Sequence, residues 1–167
     1  CKKLKDSFGE IDLAMINYNA AGSYPSCFKN LSIHEKKEAH KNVLERNIDH
    51  LISCSDVLRP RAILPFAGAY VLGGKEWKKN EFLGTTTWDS CARYIREKSN
   101  HKVLTMQENN VLNLINLKLD SKYIPIDEKE MQRYISQTLS KITYPYERDQ
   151  PVQEKDLEKL LMKSIEE

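Results

Sequence analysis

Apolar residues in this chain fall into two kinds of run: short unbroken ones, and longer ones at helical spacing. Ile11-Asp12-Leu13-Ala14-Met15-Ile16-Asn17-Tyr18 is apolar on both faces after Asp12, and Gly9 punctuates its start. Such a run predicts a buried strand in a sheet covered by helices. Ser32-Ile33-His34-Glu35 then has the form of a capping box, with the hydroxyl on the N3 amide and the Glu reaching back. The helix it opens should run to about Leu58. Its Ile33, Val43, Leu44, Ile48, Leu51, Ile52 and Leu58 form one stripe of near-helical period. Arg59-Pro60 stops it. Ala62-Ile63-Leu64 follows as a very short apolar run, broken at once by Pro65. Strand, helix, strand predicts a crossover with Ile11–Tyr18 and Ala62–Leu64 as parallel neighbours.

Further along, Thr86-Thr87-Trp88-Asp89 marks a second helix start, with Thr86 and Asp89 as the cap, and this helix runs to about Lys98. His101–Gln107 and Val111–Leu119 read as two strands around Asn109-Asn110, a tight hairpin turn. Val111–Leu117 is too apolar for a one-sided surface strand. Asp127–Lys141 predicts an amphipathic helix with Met131, Tyr134, Ile135, Thr138, Leu139 and Ile142 on one face. Tyr144–Pro151 reads as a Pro-bounded linker. Gln153–Ile165 predicts a final helix with Leu157, Leu160, Leu161 and Ile165 inward. The fold class is therefore α/β, a mixed sheet flanked by helices with further helices at the C-terminal end. The organisation read here is one domain over 1–143, then linker and helix over 144–167.

Two loops stand out, because each leaves the C-terminal end of a predicted strand, where α/β proteins build ligand sites. If the strands are parallel, both loops open at the same sheet edge. Tyr18, Asn19, Tyr24, Phe66 and Tyr70 would then line one pocket. Gly22 and Gly68 would let backbone approach a ligand. The competing reading is two packed loops whose aromatics fill space.

Composition narrows the function classes. The chain has 167 residues, 30% of them charged, with a net charge of +2. Interspersed signs lack the dominant basic face of a nucleic-acid binder. The Lys-rich start, Cys1–Lys5, reads as a solvated face of a short amphipathic piece, Lys2–Phe8. No apolar run approaches transmembrane length, and no signal-peptide pattern appears. Cys1, Cys27, Cys54 and Cys91 are scattered without zinc-ligand spacing, so free thiols in a reduced cytoplasm are expected. The chain opens on Cys1 with no initiator Met, and its acidic end stops inside a helical pattern. Both features lead us to expect a piece of a larger protein.

Conventional catalytic signatures are missing. His34, His40 and His50 fall in the long helix and read as surface or core-edge residues, and His101 has no obvious partner. There is no HExxH, HxHxDH, GxSxG, Walker A or GxGxxG. Gly73-Gly74-Lys75 is too short for a phosphate loop. Cys27 without a matched base reads better as a small buried thiol than as a nucleophile.

Tyr18-Asn19-Ala20-Ala21-Gly22-Ser23-Tyr24-Pro25-Ser26-Cys27-Phe28, then Leu58-Arg59-Pro60, then Leu64-Pro65-Phe66-Ala67-Gly68-Ala69-Tyr70, resemble the C-terminal half of a metallo-β-lactamase-fold protein. The closest likeness is to the branch containing CMP-N-acetylneuraminic acid hydroxylase and, nearby, ascorbate-6-phosphate lactonase-type hydrolases. Tyr144–Leu161 is also similar to the region downstream of that domain in the hydroxylase group. The resemblance covers most of the chain.

It implies part of an αββα sandwich, in a parent that uses zinc or iron to activate water. The implied function is a fragment of a metal-dependent, hydrolase-like enzyme acting on a polar sugar-derived or phosphorylated small molecule. The HxHxDH half of the family's metal site is not in this sequence. The family's last metal histidine follows a short strand of the form apolar-Pro-apolar-His, and that slot is Ala67, which has no donor atom. The fragment alone is thus expected to hold no metal and to be inactive. Two other readings stand beside it. One is a non-catalytic α/β binding or scaffold module. The other is an oxygenase component, which would need a Rieske-type centre that no CxH…CxxH pattern here supplies. Neither nucleic acid nor membrane is expected as a partner. Half a sandwich would expose a sheet edge or face, making a homo-oligomer the expected assembly.

Overall fold

A computed structural model describes residues 1–67 and 69–148. Gly68 and the helix expected over Gln153–Ile165 lie outside the described residues. The chain is mixed α/β. Strands β1 (Leu13–Asn17) and β2 (Ala62–Phe66) pair in parallel, Leu13 opposite Ala62 and Asn17 opposite Phe66. Helix α2 (Ile33–Leu58) makes the predicted crossover, preceded by the short helix α1 (Lys2–Phe8), which buries none of its residues.

The boundaries of α2 follow from local chemistry. Ser32 Oγ accepts the Glu35 amide, and the Glu35 carboxylate takes the Ser32 N–H at 2.8 Å, closing the predicted capping box. At the other end Arg59 turns left-handed (φ 48°) and its N–H returns to the Ser55 carbonyl, and Pro60 cannot continue the helix.

β2 runs further than predicted, through Pro65 to Phe66. On the side away from β1, Ile63 donates to the Lys102 carbonyl and accepts from Leu104 N–H. Pro65, two residues on, faces that same side without an N–H. Pairing there stops at a single parallel bridge, Ile63 to Val103. The strand expected over His101–Gln107 is reduced to this bridge.

The core lies on one face of the sheet. Tyr18 and Ile63 pack against Ile48 and Leu51 of α2 and against Cys91 and Ile95 of helix α3 (Trp88–Lys98). Each large aliphatic side chain buried here contributes about 1.5–3 kcal/mol. The other face is only partly covered: Ala62 is buried and Leu13 and Leu64 are half-buried there, while Met15 is 51% and Phe66 50% exposed. Burial of β1 on both faces, expected from its apolar run, is thereby corrected. Both long helices pack on the Ile16–Ile63 side, and alternation turns Met15 the other way.

The long strand expected over Val111–Leu119 instead folds back on itself, as β3 (Leu112–Asn113) and β4 (Lys118–Leu119), antiparallel. Asn113 Oδ1 accepts Ile115 N–H, and Leu117, at φ 54°, donates to the Asn113 carbonyl. Asparagine turn chemistry overrides the apolar run, leaving Ile115 86% exposed. A turn forms one residue earlier than expected, at Glu108-Asn109, where Asn110 N–H donates to the Gln107 carbonyl and Asn109 sits at φ 66°; β3 pairs with β4 and not with the 101–107 segment, so the expected hairpin around it is not formed.

Helix α3 is capped by Thr87, whose Oγ1 accepts Ser90 N–H, where Thr86 with Asp89 was expected. A 3-10 helix over Gly74–Phe82, unread in the sequence, precedes it. Helix α4 (Glu128–Gln137) is capped by Asp127 and gives way to a 3-10 turn (Leu139–Lys141), so the expected continuous helix is shorter. Of its predicted apolar face Ile135 is buried, whereas Tyr134 and Ile142 are exposed. Tyr144–Pro151, expected to be linker, begins with helix α5 (Pro145–Arg148), which Pro145 opens at the position that tolerates proline.

Gly73 and Gly74 seat this C-terminal segment. A Cβ on Gly73 would lie 2.6 Å from the Tyr144 hydroxyl, and one on Gly74 (φ 56°) 2.9 Å from the Ile142 carbonyl. Only glycine permits that approach.

Candidate functional site

Both strand-exit loops leave the same sheet end, as the parallel pairing requires. The first is zipped onto the segment before α3. Asn19 Oδ1 accepts Thr86 N–H at 2.9 Å, Asn19 Nδ2 donates to the Thr86 carbonyl at 3.1 Å, and Ala20 N–H donates to the Gly84 carbonyl. Gly84 fits because a Cβ there would come within about 3 Å of Val43 and Ala20. The second loop is tied down by Asn80, which accepts Leu72 N–H at 2.7 Å and donates to the Leu72 and Trp77 carbonyls.

Between these anchored segments and α4 lies a cavity of about 500 Å³. Its size falls within the range of small-molecule sites, roughly 300–1,000 Å³. Tyr70 and Val71 form one wall and Thr85–Trp88 a second. Met131 and Ile135 of α4 supply a third, and His40 enters from α2. The N-terminal ends of α3 and α4 are stapled at this cavity by Glu128, whose Oε1 accepts the Ser90 hydroxyl at 3.0 Å and the Thr87 hydroxyl at 3.5 Å. Asp89 adds a second staple, accepting Ile126 N–H at 2.9 Å and the Tyr123 hydroxyl at 2.7 Å. Trp88 Nε1 donates to the same Tyr123 oxygen. Burial, and next the bond to Asp89, push the Tyr123 hydroxyl far above the usual phenol range. Tyr123 therefore stays protonated and holds Trp88 in place.

The residues singled out in the sequence are distributed around this cavity. Tyr70 lines it, and its hydroxyl donates to the Gly22 carbonyl at 3.3 Å, linking the two loops. Asn19 is buried behind it as the clamp on Thr86 and borders a smaller cavity with Asn17 and His50. Tyr18 is 2% exposed and belongs to the core, where burial raises its hydroxyl to about 12. Tyr24 is exposed and meets Phe28 edge-on at 5.1 Å. Gly22 is exposed, Phe66 lies on the partly covered sheet face, and Gly68 lies outside the described residues.

Sequence reasoning did not pick out His40, the Thr85–Thr87 run or Glu128. The three consecutive threonines before a helix cap were the available signal. His101 has a partner after all: its Nε2 meets Asp56 Oδ1 at 2.8 Å, which corrects the reading of it as unpartnered. Cys27 is exposed, correcting its reading as a small buried thiol, and Cys91 is the buried one.

Among the described residues, no group of three or more His, Cys, Asp or Glu side chains is placed to hold a metal ion. Ala67, at φ 57°, occupies the slot after Phe66 with no donor atom. The donors among the described residues thus do not fit a resident metal. Among the described residues no helix is long and apolar enough to cross a membrane. No protein family, curated protein or solved structure matches the chain.

Proposed function

We propose that the chain is one layer of a metallo-β-lactamase-like, hydrolase-like enzyme, and that this layer binds a polar sugar-derived or phosphorylated small molecule in the cavity behind the β2 exit loop. The observation that carries this reading is the one-sided sheet. β1 and β2 are covered by α2 and α3 on one face, and Met15 and Phe66 stand half-exposed on the other. An α/β layer whose second sheet face keeps half-exposed apolar residues beside the buried Ala62 is consistent with one half of an αββα sandwich. The loop motifs that carry the family resemblance leave the end of that same sheet, and Tyr70 reaches from them into the cavity. The metal of such an enzyme would be held by residues other than those described, since Ala67 has no ligating atom.

The binding-only module is the second reading, and Glu128 favours it. This carboxylate at the cavity is taken up by two hydroxyls that join α3 to α4, which is a structural use.

Metal analysis after equilibration with zinc or ferrous iron tests the first reading. Substoichiometric, easily dialysed metal is the expected result. One equivalent of tightly held metal would overturn the placement of the ligands elsewhere.

A further inference from the structure

We propose that His50 Nε2 and Cys54 Sγ, one helical turn apart on α2, form a labile site for a zinc-class divalent cation, with its remaining coordination positions open to solvent. The site is separate from the cavity behind the β2 exit loop and from any resident metal of a parent enzyme.

The spacing comes first. The cysteines alone show no ligand pattern, but His50 precedes Cys54 by four residues within α2. Residues four apart on a helix lie on one face, one above the other. The two side chains meet there, with Nε2 3.6 Å from Sγ. Zinc holds an imidazole nitrogen at about 2.0–2.1 Å and a thiolate sulfur at about 2.3 Å, and a tetrahedral angle between those bonds sets the two atoms about 3.5–3.6 Å apart. The pair therefore already has the bite of a tetrahedral ion. A linear two-coordinate ion would need about 4.3 Å between the same atoms, so the geometry favours a centre with two further positions.

Access comes second. His50 is exposed and Cys54 half-buried, so an ion can reach the pair from solvent. His50 also borders a hollow of about 270 Å³ with Asn17, Asn19 and Asn47, which leaves room for water beside the imidazole. An ion entering between Nε2 and Sγ displaces their mutual contact, and a thiol is a weak hydrogen-bond donor.

The donors select the ion. One imidazole and one thiolate suit zinc and cobalt, whereas magnesium and calcium take oxygen ligands. On binding, Sγ forms the metal–sulfur bond and its proton leaves to solvent. Two protein ligands fall short of the three or four that catalytic and structural zinc sites use, so the ion exchanges readily. Such a site is compatible with the easily dialysed metal expected above.

The test is a cobalt(II) titration of the reduced full chain in a Cys1→Ser/Cys27→Ser background, because those two exposed thiols would bind cobalt themselves. The expected result is a saturable thiolate-to-cobalt charge-transfer band at one ion per chain, displaced by zinc and not by magnesium. Cys54→Ser should abolish the band, and His50→Ala should weaken binding by at least about tenfold, with circular dichroism confirming that both variants keep their helix content. In the chain with all its cysteines, zinc should slow alkylation of Cys54, read by peptide mass. Absence of the band, or binding unchanged by His50→Ala, would overturn the site. One ion per two chains, with a doubled mass in sedimentation, would overturn the open positions and assign them to a second copy. Tightly held zinc that persists in Cys54→Ser would lie elsewhere, and would count against the reading of the parent enzyme's metal and not against this pair.

Discussion

The Asn19 carboxamide pairs with both backbone groups of Thr86, accepting its N–H at 2.9 Å and donating to its carbonyl at 3.1 Å, across 67 residues of sequence. Asn19 thus does for the Thr85–Trp88 segment what a neighbouring strand would do. Its own N–H is fixed by Asn17 Oδ1 at 2.9 Å, so the clamp is anchored to the end of β1. The loop after β1 sets the cavity wall through this residue.

Replacing Asn19 with Leu should strand two Thr86 backbone groups, at a cost of about 2–4 kcal/mol. Asn19→Asp keeps the acceptor but sets a carboxylate against the Thr86 carbonyl, and should be nearly as damaging. Urea unfolding of both variants checks this. A loss below about 0.5 kcal/mol, the ordinary range of surface substitutions, would mean that Thr86 is held by other contacts.

What could be read from the sequence was mostly local. Ser32 and Glu35 are three residues apart, and their reciprocal bonds need no tertiary information, so the start of α2 was legible. Arg59-Pro60 marked its end for the same reason. The parallel pairing followed from element order alone. The half-open face of β1 was not legible, because Met15 looks as apolar as Ile16 until it is known that α2 and α3 share one side. Val111–Leu117 misled because apolar count outweighed Asn113, whose side chain and carbonyl together close the turn. The cavity was only half legible. Tyr70 lies near a strand end, where ligand sites are sought. His40 and Glu128 come from helices far away in sequence, and their meeting at one cavity is a property of packing.

Burial should make the core sensitive to alkali. Cys91 and Tyr18 lie within electrostatic reach of each other in the core, and burial pushes each up to about 12. In the unfolded chain the thiol titrates near about 8.5 and the phenol near about 10. Both folded values are raised, so the stability they contribute is complete below about pH 8.5 and is lost as pH rises toward about 12. The urea midpoint should accordingly fall progressively and reversibly above about pH 9. Cys91→Ala should lower stability at neutral pH and flatten the first part of that fall. An unchanged alkaline limb in this variant would show that Cys91 does not titrate with folding. A thiol reagent offers a second check: the exposed Cys1 and Cys27 should react in the native state, and Cys91 only as the protein unfolds.

The two faces of the β1–β2 sheet should respond oppositely to charge. Ile63 is fully buried, and Met15 and Phe66 are half-exposed. Ile63→Glu places a carboxylate among Leu51, Cys91 and Ile95 with no partner, and should prevent folding. Met15→Glu and Phe66→Glu reach water and should each change stability by less than about 1 kcal/mol. Their visible effect should be on association. An apolar sheet face left partly uncovered drives chains together, so the unsubstituted protein should self-associate with rising concentration in sedimentation velocity. The Met15→Glu/Phe66→Glu pair should return it to monomer. If the parent protein holds a second layer against this face, the same pair should also weaken that layer's attachment while leaving the α2–α3 core intact. A monomer at every concentration, with no response to the double substitution, would show that this face needs no cover and would count against the half-sandwich reading.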